Sequence, residues 1–188
     1  MVASWVVVVL PGGGYGAVGA VLRFPVLVLQ AAGADATVVV EYPARSKPSE
    51  ELLWPELVAA VDAQVRSAVS RAERVTFVAK SLGTAALARL DAQTVVGAQI
   101  DAVWLTPLLR SPEVQAGVVA KRAWRSLLVA GDADPYHDPV QHEATRVTLG
   151  CQSLVLPGAD HFLEVSGDPA ASVDCLRHLT EAVTGFVA

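Results

Sequence analysis

The sequence predicts an α/β protein with a doubly wound, mainly parallel sheet of about six strands flanked by helices. Two observations carry this reading. Val-rich apolar runs recur along the chain, and their hydrophobicity is nearly continuous rather than alternating, as in strands buried on both faces of a covered parallel sheet. Between the runs lie stretches whose apolar residues fall at three- and four-residue spacing, the pattern of one face of a helix.

The expected strands are residues 5–10, 37–41, 75–79, 102–106, 127–130 and 153–156. A helix is expected over 57–72, where Val58, Val61, Val65, Val69 and Ala72 share a face. Another follows the third strand over 84–90. Asp138 is placed as an N-cap with Pro139 at the first helical position, and Asp168 with Pro169 repeats the device. Strand and helix therefore alternate, and no linker, repeat or low-complexity segment interrupts them. The 188 residues are expected to form one domain, 1–188.

Composition narrows the function. Hydrophobic residues make up 53% of the chain and charged residues 18%, which suits a folded globular protein. The formal net charge is -5 with no Lys/Arg cluster, so nucleic acid finds no electrostatic footprint. Cys151 and Cys175 lie outside any C-x-x-C pattern and read as small hydrophobes, not as a disulfide framework or zinc site. "DADPYHD" lacks the glycine and terminal Glu of a calcium loop, and neither metal nor cofactor is expected. The opening "MVASWVVVVLPGGG" has no basic leader and too short an apolar run to span a bilayer. A cytoplasmic protein without a membrane partner is the expectation. Its surface allows a homodimer without requiring one.

In such a fold, ligands bind beyond the carboxyl ends of the strands. The positions there are 12–15, 41–45, 80–83, 106–110, 131–138 and 157–161. They hold Ser81, Asp134 and His161, in that order. Attack on an acyl carbon needs this set: an imidazole takes the proton of a weakly nucleophilic hydroxyl, and a carboxylate orients the imidazole and steadies its charge. Ala79 and Gly83 flank Ser81 with little bulk, as a tight strand-to-helix turn demands. Asp132 is an alternative acid by position.

The stretch "AKSLG" resembles the nucleophile elbow of the α/β-hydrolase superfamily, with Ala79 in place of the usual first glycine. "GDADP" is similar to the loop that carries the family's acid, "PGADHFL" to its histidine loop, and "LPGGGY" to the H-G-G-G stretch, with Pro11 where a histidine often stands. The resemblance covers nearly the whole chain. Within the superfamily it resembles small, capless, dienelactone-hydrolase-like members and small hydrolase-like proteins with a "GKS" elbow. It implies Ser81 as nucleophile, His161 as base and Asp134 as acid. Backbone N–H groups of Leu82 and of Gly13, or alternatively Gly14, would stabilise an oxyanion. The implied reaction is hydrolysis of an ester, thioester or similar acyl bond of a small substrate through an acyl-enzyme. The family's first two antiparallel strands are expected to be missing, and residues 107–126 are too few for a cap.

Two other readings compete. Gly14, Gly16 and Gly19 fit G-x-G-x-x-G, and Glu41 ends the second strand, as in an NAD(P)-binding unit. A catalytically silent hydrolase-fold binding module is the other. Lys80 either flanks an anionic substrate or lies in solvent over the helix start, the second being the expectation. His137, His142, His178 and Asp160 are expected on the surface, Trp104 in the core, and Tyr15 and Tyr136 at a pocket mouth.

Overall fold

The structure, a computed structural model, describes residues 4–42, 55–95 and 97–188. Along the chain run β1 (Trp5–Leu10), α1 (Ala20–Ala31), β2 (Ala36–Val39), α2 (Pro55–Val69), β3 (Arg74–Lys80) and α3 (Leu82–Arg89). There follow β4 (Gln99–Leu105), α4 (Pro112–Ala120), β5 (Arg125–Gly131), α5 (Pro139–Leu149), β6 (Gln152–Leu156) and α6 (Pro169–Val187). Asp138 and Asp168 cap α5 and α6 as expected: their carboxylates accept from Val140, Gln141 and Ala171 N–H groups. The helix after β3 starts at Leu82, earlier than the expected residue 84. Of the expected loop over 41–45, residues 43–45 lie outside the described residues.

The six strands form one parallel sheet in the order β2-β1-β3-β4-β5-β6. Side chains alternate between two packed layers. Val6, Val8 and Leu10 of β1 face the cluster built with α2, α3 and α4, including Leu57, Val61, Leu87 and Val118. Trp5, Val7 and Val9 face α1 and α6 through Leu22, Leu29, Leu179 and Phe186. This two-sided cover explains the unbroken hydrophobicity of the central strands. The edges differ from the expectation: β6 exposes Gln152, Ser153 and Val155, and β2 exposes Val39. An edge strand has a neighbour on one side only, and its faces extend past the helices that roof the centre. The expected strand end at Glu41 also falls short, because β2 stops at Val39.

At the amino ends of the strands, the fully buried Asp101 accepts from Arg74 Nε and Arg125 Nε, each at 2.8 Å, tying β3, β4 and β5 together. The opposite, carboxyl ends carry the loops of interest. Strand order reverses between β1 and β3, so α1 and α3 leave toward opposite faces and a crevice opens between the loops that follow these strands. Ser81 sits at this reversal.

The close approach of α3 to β1 depends on one residue. A Cβ at Gly83 would overlap the carbonyl oxygen of Leu10, which cannot retreat without breaking the sheet. Gly83→Ala is expected to destabilise the protein by about 2–4 kcal/mol through this overpacking. Gly185→Ala in α6, where a Cβ meets nothing within 4 Å, is expected to be neutral or stabilising by up to about 1 kcal/mol. Urea unfolding midpoints of the two variants check the contrast.

Candidate active site

Ser81 occupies the turn between β3 and α3 with φ 52° and ψ -115°, a conformation L-residues rarely adopt. The turn is held on both sides. Ser81 N–H donates to the Leu105 carbonyl (3.0 Å), and the Ser81 carbonyl accepts from Thr84 N–H (2.8 Å) and Thr84 Oγ1 (2.6 Å). The side chain is thereby lifted off the helix axis, and no cap bond engages its hydroxyl.

His161 arrives from the loop after β6. Its Nε2 lies 2.8 Å from Ser81 Oγ, and its Nδ1 lies 2.7 Å from Asp134 Oδ2. A carboxylate only accepts, so Nδ1–H donates to Asp134 and Nε2 is left to accept from the Ser81 hydroxyl. The Asp134 side chain is 2% exposed, and its other oxygen accepts from Tyr136 N–H at 2.8 Å. Asp132 points elsewhere: its carboxylate accepts from Gly158 N–H. The two loops are pressed together where Gly131 meets Ala159, since a Cβ at Gly131 would overlap the Ala159 carbonyl. The structure therefore brings Ser81, His161 and Asp134 into one chain of contacts from three separate loops.

Beside the serine stands the loop after β1. A Cβ at Gly13 would lie 3.5 Å from Leu82 Cδ2, whereas Gly14 faces open space. Leu82 is the first residue of α3, so its N–H has no partner within the helix. Among the described residues the N–H of Gly13 finds no acceptor either. Tyr42 steadies this loop by donating to the Pro11 carbonyl at 2.8 Å, and burial pushes its phenol above the usual range. The rim is aromatic: Phe162 and Tyr136 are exposed, and their rings meet His161 edge-on at 6.2 and 5.0 Å. Between β4 and β5 the chain holds α4 as its one regular element, with no inserted domain.

The glycines of the dinucleotide-like pattern are placed differently from that reading. Tyr15 folds across the start of α1, its ring filling the space next to Gly19 and its hydroxyl accepting from Val21 N–H at 3.0 Å. The helix terminus where a pyrophosphate would rest is occupied by a side chain. Glu41 lies past the end of β2, its backbone paired with Gln64.

Four expectations need correction, one of them His137, which is half-buried instead of on the surface. Lys80 does not lie in solvent: it is 1% exposed, and its Nζ donates to the His161 carbonyl (2.7 Å) and to Thr106 Oγ1 (3.2 Å). Burial lowers its pKa to about 8, opposed by attraction to Asp134 and Asp160. Asp160 is half-buried and shapes the histidine loop, accepting from Phe162 N–H (2.7 Å) and Glu164 N–H (3.1 Å). His142 is buried against β6, its Nε2 2.6 Å from Ser153 Oγ and its ring 5.1 Å from that of His137. A signal for it existed: His142, Thr145 and Leu149 share the inner face of α5. His178 is exposed, His137 half-buried and Trp104 in the core.

No protein-family model matches the sequence, and no curated protein matches it. Solved structures do. An α/β serine hydrolase homologue from Coxiella burnetii superposes with a TM-score of 0.68 at 18% identity, over 98% of this chain and 85% of that one. Est1E from Butyrivibrio proteoclasticus, solved with ferulic acid bound, gives 0.66 at 13% identity over 96% and 87%. A thermophilic esterase from Thermogutta terrifontis gives 0.57 at 16% identity over 95% and 80%. The chain has the α/β-hydrolase fold. Among the described residues the sheet is wholly parallel, and no helix is long and apolar enough to cross a membrane.

The buried His142 imparts a pH dependence of known sign. Burial, with His137 adding to it, lowers its pKa to about 4 from the ordinary 6.5. The unfolded chain therefore binds a proton that the folded one refuses, and stability present above pH 6.5 is lost as pH falls toward 4. Urea midpoints measured at pH 7.5 and 5 are expected to drop more in the wild type than in His142→Gln.

Proposed function

We propose that the protein is a serine hydrolase that cleaves a carboxylic ester, thioester or related acyl bond of a small substrate. The observation that carries this reading is the contact chain from Ser81 Oγ to His161 Nε2 and from His161 Nδ1 to Asp134 Oδ2, at 2.8 and 2.7 Å. It stands at the sheet's reversal point, in the fold of the matched hydrolase and esterase structures.

In this mechanism Ser81 Oγ attacks the acyl carbon while its proton passes to His161 Nε2. Asp134 keeps Nδ1 protonated and stabilises the imidazolium. The carbonyl oxygen becomes an oxyanion that accepts from the N–H groups of Leu82 and Gly13, each contributing about 3 kcal/mol to the transition state. Collapse expels the alcohol or thiol with the proton returned by His161, leaving an ester on Ser81. Water then attacks that ester, His161 again taking the proton, and the carboxylic acid leaves as Ser81 regains its hydrogen. The positive end of α3 faces the developing charge and supports it. The uncapped crevice and aromatic rim suit a small substrate, or an exposed group on a larger one, that is held on one side only.

Hydrolysis of short-chain p-nitrophenyl esters and thioesters tests the reading. Turnover is expected in the wild type and is expected to be lost in Ser81→Ala. Asp134→Asn should lower kcat by about 10³- to 10⁴-fold with KM little changed, since the imidazole would lose its tautomer control. Folded wild type inert to the whole panel would instead favour a hydrolase-fold binding module.

A further inference from the structure

Lys80 immediately precedes the proposed nucleophile, yet its side chain is buried and plays no part in the acyl transfer described above. Its Nζ lies near three of the loops at the carboxyl ends of the strands. It reaches the main chain of His161 at 2.7 Å and Thr106 Oγ1 at 3.2 Å, and lies 4.9 and 5.5 Å from the ring centroids of Tyr15 and Phe162. These residues come from the loops after β6, β4 and β1, whereas Lys80 itself ends β3.

The other bonds of the histidine loop lead elsewhere. Asp160 fixes its internal turn, and the Ala159 carbonyl accepts from Ala133 N–H in the loop after β5. Among the described residues, only two hydrogen bonds join residues 157–167 to β3 or to Ser81: Ser81 Oγ with His161 Nε2, and Lys80 Nζ with the His161 carbonyl. The first is the contact that must break and re-form during turnover. The second is independent of it.

We propose that Lys80 is a positioning residue, its ammonium clamping the His161 main chain to the strand that carries Ser81 and so setting the Nε2–Oγ distance. The role rests on the serine hydrolase reading. A purely structural filler would be apolar here, because a methionine spans the same distance without the desolvation of a charge. The ammonium has no carboxylate within ion-pair distance among the described residues; its partners are a carbonyl, a hydroxyl and two ring faces.

The groups facing Lys80 set the sign of its pH response. Asp134 from the β5 loop and Asp160 from the β6 loop attract the ammonium, His161 and Tyr15 adjoin it, and burial opposes the charge, giving a pKa of about 8. As pH rises through that value the clamp loses its charge, so kcat should fall on the alkaline side.

The test is Lys80→Met, read by ester hydrolysis and by hydrogen exchange of the backbone amides over 159–165. Expected is a folded variant with Tm at or above wild type at pH 7. Its kcat should fall about tenfold to a hundredfold at similar KM, with no alkaline decline, and the loop amides should exchange faster. Unchanged kcat and unchanged exchange would overturn the proposal. Faster loop exchange alongside a wild type that hydrolyses nothing would keep the clamp and sink the hydrolase reading. Should the variant not fold, exchange in the wild type at pH 7 and 9.5, corrected for intrinsic rate, decides. Loss of loop protection at the higher pH supports the clamp, and equal protection contradicts it.

Discussion

The backbone at Ser81 must stay in a conformation that it would leave if released. A positive φ at a residue with a side chain costs of order 1–3 kcal/mol and persists only where the surroundings over-determine it. Here they do. Leu105 and Thr84 hold the peptide on either side of the turn, and α3 is pulled against β1 at the one point where Gly83 lets a carbonyl approach.

The parallel sheet turns this local strain into a site. Each strand ends at the same edge, so loops far apart in sequence open onto one crevice, and the reversal between β1 and β3 leaves room there. The groups brought together differ in burial in a way that suits their proposed tasks. The Asp134 side chain is 2% exposed and locked by the Tyr136 amide, His161 is 16% exposed, and the rim beyond is open. In the proposed reaction a buried carboxylate with a fixed acceptor geometry would orient the ring, and the more open imidazole would meet the substrate. Lys80 adds a charge beneath them that the core would be more comfortable without, a cost characteristic of functional sites.

Much of this was legible in the sequence, and the reasons are physical. Central strands advertise themselves by unbroken Val runs because both faces are roofed, and the caps at Asp138 and Asp168 are local chemistry that short windows contain. The placement of Ser81, Asp134 and His161 just past three strands was readable because a parallel sheet sends all such positions to one edge. The exposure of β6 was not, since whether a strand is an edge depends on which strand fails to arrive beside it. The burial of Lys80 is hidden from the sequence for a related reason. Its burial is made by Tyr15, Thr106 and Phe162, none of them near it in sequence. His142 is different: its helix-face spacing with Thr145 and Leu149 is local and present in the sequence, although histidine is a residue type more often found in water.

The measurement that bears most directly on this account is reaction with a fluorophosphonate followed by peptide mapping of the adduct. The account requires one phosphonyl group per chain, carried by Ser81, with no adduct in Ser81→Ala and slow labelling in His161→Gln. Folded protein that stays unmodified, or that carries the adduct at another residue, would mean that the imidazole does not activate this hydroxyl.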